Sequence, residues 1–389
     1  MVTGTQQPRL IELDLLRLVA VLLVMGRHAS VAPQEFGSLL QGVSSRLSIG
    51  GWVGVDVFFV LSGFLVTSLL INAYVRDGRV SVVRFLTRRA FKLYPAFWCM
   101  IGITLVYRRL DHGFWESRKR IASELLFVQN YWPMLWNHTW SLAVEEHFYL
   151  VVAAAAAVVL RPRSLRRMRA PLLWATGGFL LLATACLMLR LRLAGIVPQF
   201  DYRTHLVPTH LRLDSLGFGA LLAAFWHAPR GGLRTGRVGA VALVLGGAAA
   251  LAPAFIFAVG DRAVFTWGFA LFYLGGGALL IGALNLRLPP LDGLRAAAFL
   301  GSRSYSVYLW HLPVQSWIAV PLSRNAFAEA PRRWLLYAVL YVSGSFLIGC
   351  LMHRWIEGPL LRLRDRLIPR RARAVVGQTP RTARPAAGR

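Results

Sequence analysis

The sequence predicts an all-α integral membrane protein, with about ten transmembrane helices in one bundle and both termini in the cytoplasm. Three observations predict it. Of 389 residues, 56% are hydrophobic and only 16% charged, with a mean hydropathy of +0.52. That is more apolar surface than one soluble core can hide and less charge than a soluble domain carries. The apolar residues fall in stretches of about 20, the length that crosses a bilayer. The charge is lopsided, 44 Lys+Arg against 17 Asp+Glu, and it clusters between those stretches. A disordered chain would be poor in apolar residues. A nucleic-acid binder would carry the net +27 on a hydrophilic surface, so no nucleic-acid partner is expected.

The candidate spans are 11–31, 51–72, 89–107, 140–160, 172–191, 205–227, 236–258, 264–284, 299–321 and 334–356. The first carries Glu12, Asp14 and Arg17, where a cleavable signal would have a basic start and an uninterrupted apolar core. The connections alternate in charge. The second holds Arg76, Arg79, Arg84 and Arg88, the fourth Arg161, Arg163, Arg166, Arg167 and Arg169, and the sixth Arg230, Arg234 and Arg237. The first has only Arg46 and the seventh only Arg262. The basic connections belong in the cytoplasm. The third connection disagrees: Arg108, Arg109, Arg118, Lys119 and Arg120 fall on the outer side, partly offset by Asp111, Glu116 and Glu124. Residues 1–360 are expected to form the membrane domain. Residues 361–389 are expected to be a basic, disordered cytoplasmic tail drawn to anionic membrane lipids, with no further folded domain. Cys99, Cys186 and Cys350 sit in apolar stretches without disulfide or metal-ligand spacing, so neither a metal nor a permanently bound cofactor is expected.

Ionisable residues inside apolar stretches are costly and are therefore candidates for function. Arg17 and His28 are eleven residues apart in the first span, about 16 Å along a helix and on nearly the same face. An interfacial Arg and an end-of-helix His would explain them equally well. Asp56 and the Glu145–Glu146–His147 run lie in the outer halves of spans two and four, so His28, Asp56 and Glu145 can converge in one cavity. A His beside carboxylates can act as a general base. The rival reading pairs the acids with arginines to hold the bundle. Ser62 and Gly63 allow close helix approach. Arg88, Arg89 and Lys92 cluster at the cytoplasmic mouth of span three, where they can grip phosphates or simply anchor the topology. Arg212 and Asp214 are isolated charges in span six. Tyr305, Tyr308, Trp310 and His311 in span nine form either an interfacial belt or the wall of a channel.

Taken in order, these segments resemble the membrane-bound acyltransferase family 3, which includes bacterial O-acetylases of surface glycans and macrolide acyltransferases. The resemblance runs from LDLLRLVAVLLVMGRH (13–28) through GVDVFFVLSGFL (54–65), RRAFKLYP (88–95), WSLAVEEHFYL (140–150), RLDSLGFGALLA (212–223) and LGSRSYSVYLWHLP (300–313) to WIEGPL (355–360). It implies ten helices in the cell membrane and an acyl-CoA co-substrate, normally acetyl-CoA, taken from the cytoplasm. It also implies transfer to a hydroxyl of a carbohydrate-containing acceptor: a surface polysaccharide, a cell-wall glycan or a glycosylated metabolite such as a macrolide. By this resemblance His28 is the catalytic histidine, taken as the general base, with Arg17 its motif partner, and Arg89 and Lys92 match the pair at the acyl-CoA entrance. From their placement in the spans, Asp56 and Glu145 are expected to assist His28, Arg17 and Arg88 to join the acyl-CoA site, and Trp140, Ser141, Tyr305, Tyr308 and His311 to line a substrate channel. Two positions depart from the pattern. Lys92 stands where the family usually has Arg, which keeps the charge but loses the bidentate fork. His147 replaces the more familiar Gln. Direct transfer and an acyl-histidine intermediate both remain open. The alternative function is a non-enzymatic transporter of a small polar or anionic solute, although neither an inverted repeat nor paired broken helices support it.

Overall fold

The structure is a computed structural model that describes residues 10–113, 115–159, 171–228, 232–289 and 291–369. Among the described residues it is all-helical, without strands. We number the α-helices α1 (Ile11–His28), α2 (Ser38–Gly50), α3 (Gly54–Asp77), α4 (Val82–His112), α5 (Arg118–Leu125), α6 (Trp140–Val159), α7 (Pro171–Ile196) and α8 (Leu213–Trp226). They continue as α9 (Arg237–Leu251), α10 (Phe269–Leu286), α11 (Asp292–Gly301), α12 (Ser304–Val314), α13 (Val320–Ala326), α14 (Ala330–Met352) and α15 (Gly358–Leu367). Local chemistry marks their ends. Ser81 and Ser117 cap α4 and α5 by accepting from the backbone N–H groups of Arg84 and Arg120. Gly78 and Gly113 end α3 and α4 in left-handed conformations, φ 67° and 74°.

Seven of the ten expected spans coincide with helices long and apolar enough to cross a membrane: Ser38–Asp77, Val82–Asp111, Trp140–Val159, Leu172–Ile196, Arg237–Phe255, Val264–Leu286 and Ala330–Leu367. The chain is thus a multi-pass membrane protein. The other three expected spans are helical but less regular. Four charges, Glu12, Asp14, Arg17 and Arg27, interrupt α1. Helix α8 has only 14 residues. Span nine is α12, a π-turn at Gln315–Ala319 and α13 in succession. The third connection, whose charge opposed the topology, is compensated in part: Glu116 accepts from Arg108 and, at 3.3 Å, from Arg120. The tail expected from 361 onward needs correcting at its start. Residues up to Leu367 continue α15, which packs on α4 and is pinned by the Arg88–Asp365 ion pair at 2.7 Å. The fourth connection, Arg230 and residues beyond 369 lie outside the described residues.

Helix α1 packs against α3, α11 and α12, while α3 packs most extensively on α8. Lipid tails are as apolar as Leu, so helices in a bilayer gain most from close backbone approach. Gly63 and Gly219 provide it. A Cβ on Gly63 would meet the Leu216 carbonyl oxygen at 2.0 Å, and one on Gly219 the Val60 carbonyl oxygen at 2.0 Å. Two buried ion pairs lock the same region. Arg212 donates to Asp56 at 2.7 Å, and Arg190 of α7 to Asp214 at 2.7 Å, with all four side chains sealed.

Candidate active site

The site spans the two ends of α1. At one end Arg17 bonds Asp14 at 2.5 Å. Lys92 of α4 lies within charge-interaction range of Arg17, Arg89, Glu145 of α6 and Glu357. The Arg89 guanidinium lies over the Tyr149 ring, 4.1 Å from its centroid, and its buried Nε has no hydrogen-bond partner. Tyr149 donates to Glu145 and lies 2.7 Å from the Ser62 hydroxyl. Tyr94 donates to Glu146 at 2.9 Å, and Tyr305 donates to the Leu93 carbonyl at 2.7 Å. This is a half-buried basic mouth held in shape by acids and tyrosines. Such a mouth can bind a phosphorylated ligand through charge-assisted hydrogen bonds. Arg88, also expected at this mouth, donates to Asp365 and to the Ile368 carbonyl.

At the other end of α1 stands His28. Its carbonyl accepts from Gln315, the first residue of the π-turn, and Gln315 also donates to the Tyr337 hydroxyl at 2.7 Å. The His28 ring lies 5.3 Å from that of His311, which lies 5.0 Å from that of His138. His311 Nδ1 donates to the Tyr308 carbonyl at 2.5 Å, and His138 Nε2 to the Leu309 carbonyl at 3.1 Å. Each donation fixes a tautomer. The remaining nitrogens, His311 Nε2 and His138 Nδ1, are buried acceptors with no partner. Burial first, then the nearby His28, lowers the His138 ring to about 3, so it stays neutral. The Tyr308 hydroxyl donates to the His138 carbonyl at 2.7 Å and touches Ser141 at 2.6 Å. Tyr305, Tyr308 and His311 succeed one another by single turns of α12, so this helix runs from the basic mouth to the histidines.

The structure thus brings Arg17, Arg89, Lys92, Glu145 and Tyr305 to one end, and His28, Ser141, Tyr308 and His311 to the other. It does not bring His28, Asp56 and Glu145 into mutual contact. Asp56 is bound by Arg212 and by the Ser215 hydroxyl at 3.2 Å, and Glu145 belongs to the Arg89–Tyr149 cluster. Trp140 packs its ring 5.9 Å from Phe59 and faces Arg212. His147 bonds Thr209 at 2.7 Å. Sequence reasoning missed His138 and Gln315. His138 begins the HTWSLAVEE segment, and its position just outside an apolar stretch was its only signal.

The loop that carries His138 is held by a buried acid. Glu124 Oε1 accepts from the Leu135 N–H at 2.7 Å and the Thr139 hydroxyl at 3.1 Å, while Oε2 has no partner. Burial raises this carboxyl to about 7 from 4.5. The folded protein therefore holds a proton there that the unfolded chain releases, and stability should fall as pH climbs from about 4.5 to 7. The loss should be roughly 3 kcal/mol at most. Thermal melts of wild type and Glu124→Gln across that window should diverge, with the variant flatter. Parallel curves would refute the assignment.

The model of an acyltransferase domain family matches residues 10–354. The peptidoglycan O-acetyltransferase OatA of Listeria monocytogenes is 26% identical over 90% of this chain and 55% of its own length. The O-acetyltransferase OatA of Staphylococcus aureus is 25% identical over 83% of this chain and 55% of its own. YrhL of Bacillus subtilis is 29% identical over 92% and 56%. The chain spans about half the length of these curated relatives. No solved structure matches it.

Proposed function

Because the chain belongs to this acyltransferase family, matched across residues 10–354, we propose that it is a membrane O-acetyltransferase working from acetyl-CoA on a carbohydrate acceptor. In this reading it crosses the cell membrane ten times with both termini in the cytoplasm. Among the acceptors that the sequence left open, the names of the relatives favour a cell-wall glycan. The observation that carries the reading is the division of the site. Arg17, Arg89 and Lys92 stand at one end of α1 and a three-histidine cluster at the other, joined by α12.

The CoA phosphates bind at the basic mouth, and the pantetheine arm carries the thioester along α12 toward His28. The His28 imidazole takes the proton of an acceptor hydroxyl. The freed oxygen attacks the thioester carbonyl, the C–S bond breaks, and the proton passes to the CoA sulfur. The rings of His311, 5.3 Å from His28, and of His138, 5.0 Å from His311, keep bare nitrogens that can accept from the imidazolium and stabilise it. Lys92 offers the phosphates a point charge rather than a fork.

Arg89→Gln combined with Lys92→Gln tests the donor end. Each charge-assisted contact contributes about 1.5–3 kcal/mol, so the KM for acetyl-CoA should rise at least about tenfold while the protein stays folded. An unchanged KM would sink the donor site. Failure of purified wild-type protein to acetylate any glycan from labelled acetyl-CoA would sink the function.

A further inference from the structure

The loop that delivers His138 also builds a cavity whose lining includes none of Arg17, Arg89 and Lys92. Residues 126–139 run from α5 back to α6, passing through a left-handed Phe127 at φ 56°. They face the segment before α8, where a π-turn (Tyr202–Leu206) and a 3-10 turn (Thr209–Leu211) break the helix. Between the two lies a cavity of about 340 Å³, lined by Asn130, Tyr131, Trp132, Arg203, Thr204 and His210 among others. That volume falls within the range of small-ligand sites, roughly 300–1,000 Å³.

Its chemistry is selective. Tyr131 and Trp132 are 50% and 54% exposed, but the Tyr131 ring is flanked by His210 and by His147, 6.3 Å away, so Trp132 offers the freer ring face. Tyr131 is held in place: its ring stacks on His210 at an interplanar angle of 14°, and its hydroxyl lies 3.0 Å from His210 Nδ1. Asn130 is only 2% exposed. Its Nδ2 donates to the Thr209 hydroxyl at 2.7 Å and the Val207 carbonyl at 3.3 Å. The amide is thereby oriented, and its Oδ1 is left as a buried acceptor without a partner. Such an atom costs about 1–3 kcal/mol until a donor reaches it. Arg203 and Thr204 supply further polar groups at the rim. Amphipathic ring faces, a bare buried acceptor and a polar rim together match a pyranose, which presents C–H faces and hydroxyl donors.

We propose that this cavity binds a sugar ring of the acceptor. Trp132 stacks on it beside the fixed edge of Tyr131, Asn130 Oδ1 accepts from one of its hydroxyls, and Arg203 and Thr204 bond others. The choice of a glycan rests on the acyltransferase reading. The cavity lies on the face that the charge bias puts outside. Its wall is tied to the histidine cluster, because Tyr202 donates to the Asn137 carbonyl, one residue before His138, at 2.7 Å. One loop thus carries both the sugar platform and a histidine of the transfer centre.

The test uses the full chain in nanodiscs, with an N-acetylglucosamine tetrasaccharide as probe and saturation-transfer NMR to measure Kd. Trp132→Ala and Arg203→Gln should each raise Kd by about tenfold or more while the KM for acetyl-CoA stays put. His28→Ala should bind the probe like wild type. Unchanged Kd in both variants, or no binding by wild type, overturns the proposal. A Trp132→Ala protein that inserts poorly yet binds the probe normally also overturns it, because that marks Trp132 as an anchor in the lipid interface. Sugar binding without acetyl transfer would sink only the enzymatic reading. Transfer by variants whose Kd is unaltered would sink only the sugar site.

Discussion

His28→Ala should insert and fold like wild type and lose acetyl transfer by about 10²–10⁴-fold, the usual contribution of a positioned general base. The fold should survive because the contact that anchors this end of α1 uses the His28 carbonyl, not the ring. Gln315 donates to that carbonyl, and Tyr341 holds the neighbouring Met25 carbonyl at 3.1 Å. The ring itself meets His311 at 5.3 Å and is the least buried of the three imidazoles, so it is the one an acceptor can reach. Transfer of labelled acetyl from acetyl-CoA to a glycan is the measurement, and near-wild-type rates would remove His28 from the chemistry. The same variant separates the two routes. In a single turnover without acceptor, an acyl-histidine intermediate leaves label on wild-type protein and none on His28→Ala. General-base transfer leaves none on either. His138→Ala should be milder and should distort the pH profile more than the KM, since that ring acts through His28.

The spans were legible in the sequence wherever hydropathy alone sufficed. They were least regular where the helix itself is interrupted, as at the π-turn beginning with Gln315. Arg17 and His28 were legible because one helix carries both. His138 was not, because a loop has no period, and only the fold carries residues 126–139 back beneath α12. Arg88 and Arg89 looked alike in sequence, but neighbours on a helix point about 100° apart. One therefore faces α15 and the other Tyr149. The partner of Asp56 was out of reach for another reason: Arg212 lies 156 positions away and meets it only when α3 and α8 close on Gly63 and Gly219.

That partnership yields the largest expected change in stability. Asp56 and Arg212 are both 0% exposed, and the guanidinium is sandwiched by the Phe269 ring at 3.8 Å with Phe59 and Trp140 beyond. Asp56→Ala leaves that cation buried without its counter-charge, which costs about 3–5 kcal/mol. Reversible denaturation in detergent should register this loss. Arg212→Leu in the Asp56→Ala background should recover much of it, because removing both charges also removes their desolvation cost. Activity separates this role from the catalytic one that the sequence left open. Asp56→Asn keeps a carbonyl oxygen for Arg212 and the Ser215 hydroxyl, so it should fold less stably yet turn over normally per folded molecule. A folded, inactive Asp56→Asn would return Asp56 to the chemistry. A double-mutant cycle without coupling would show that the pair does not hold α3 to α8.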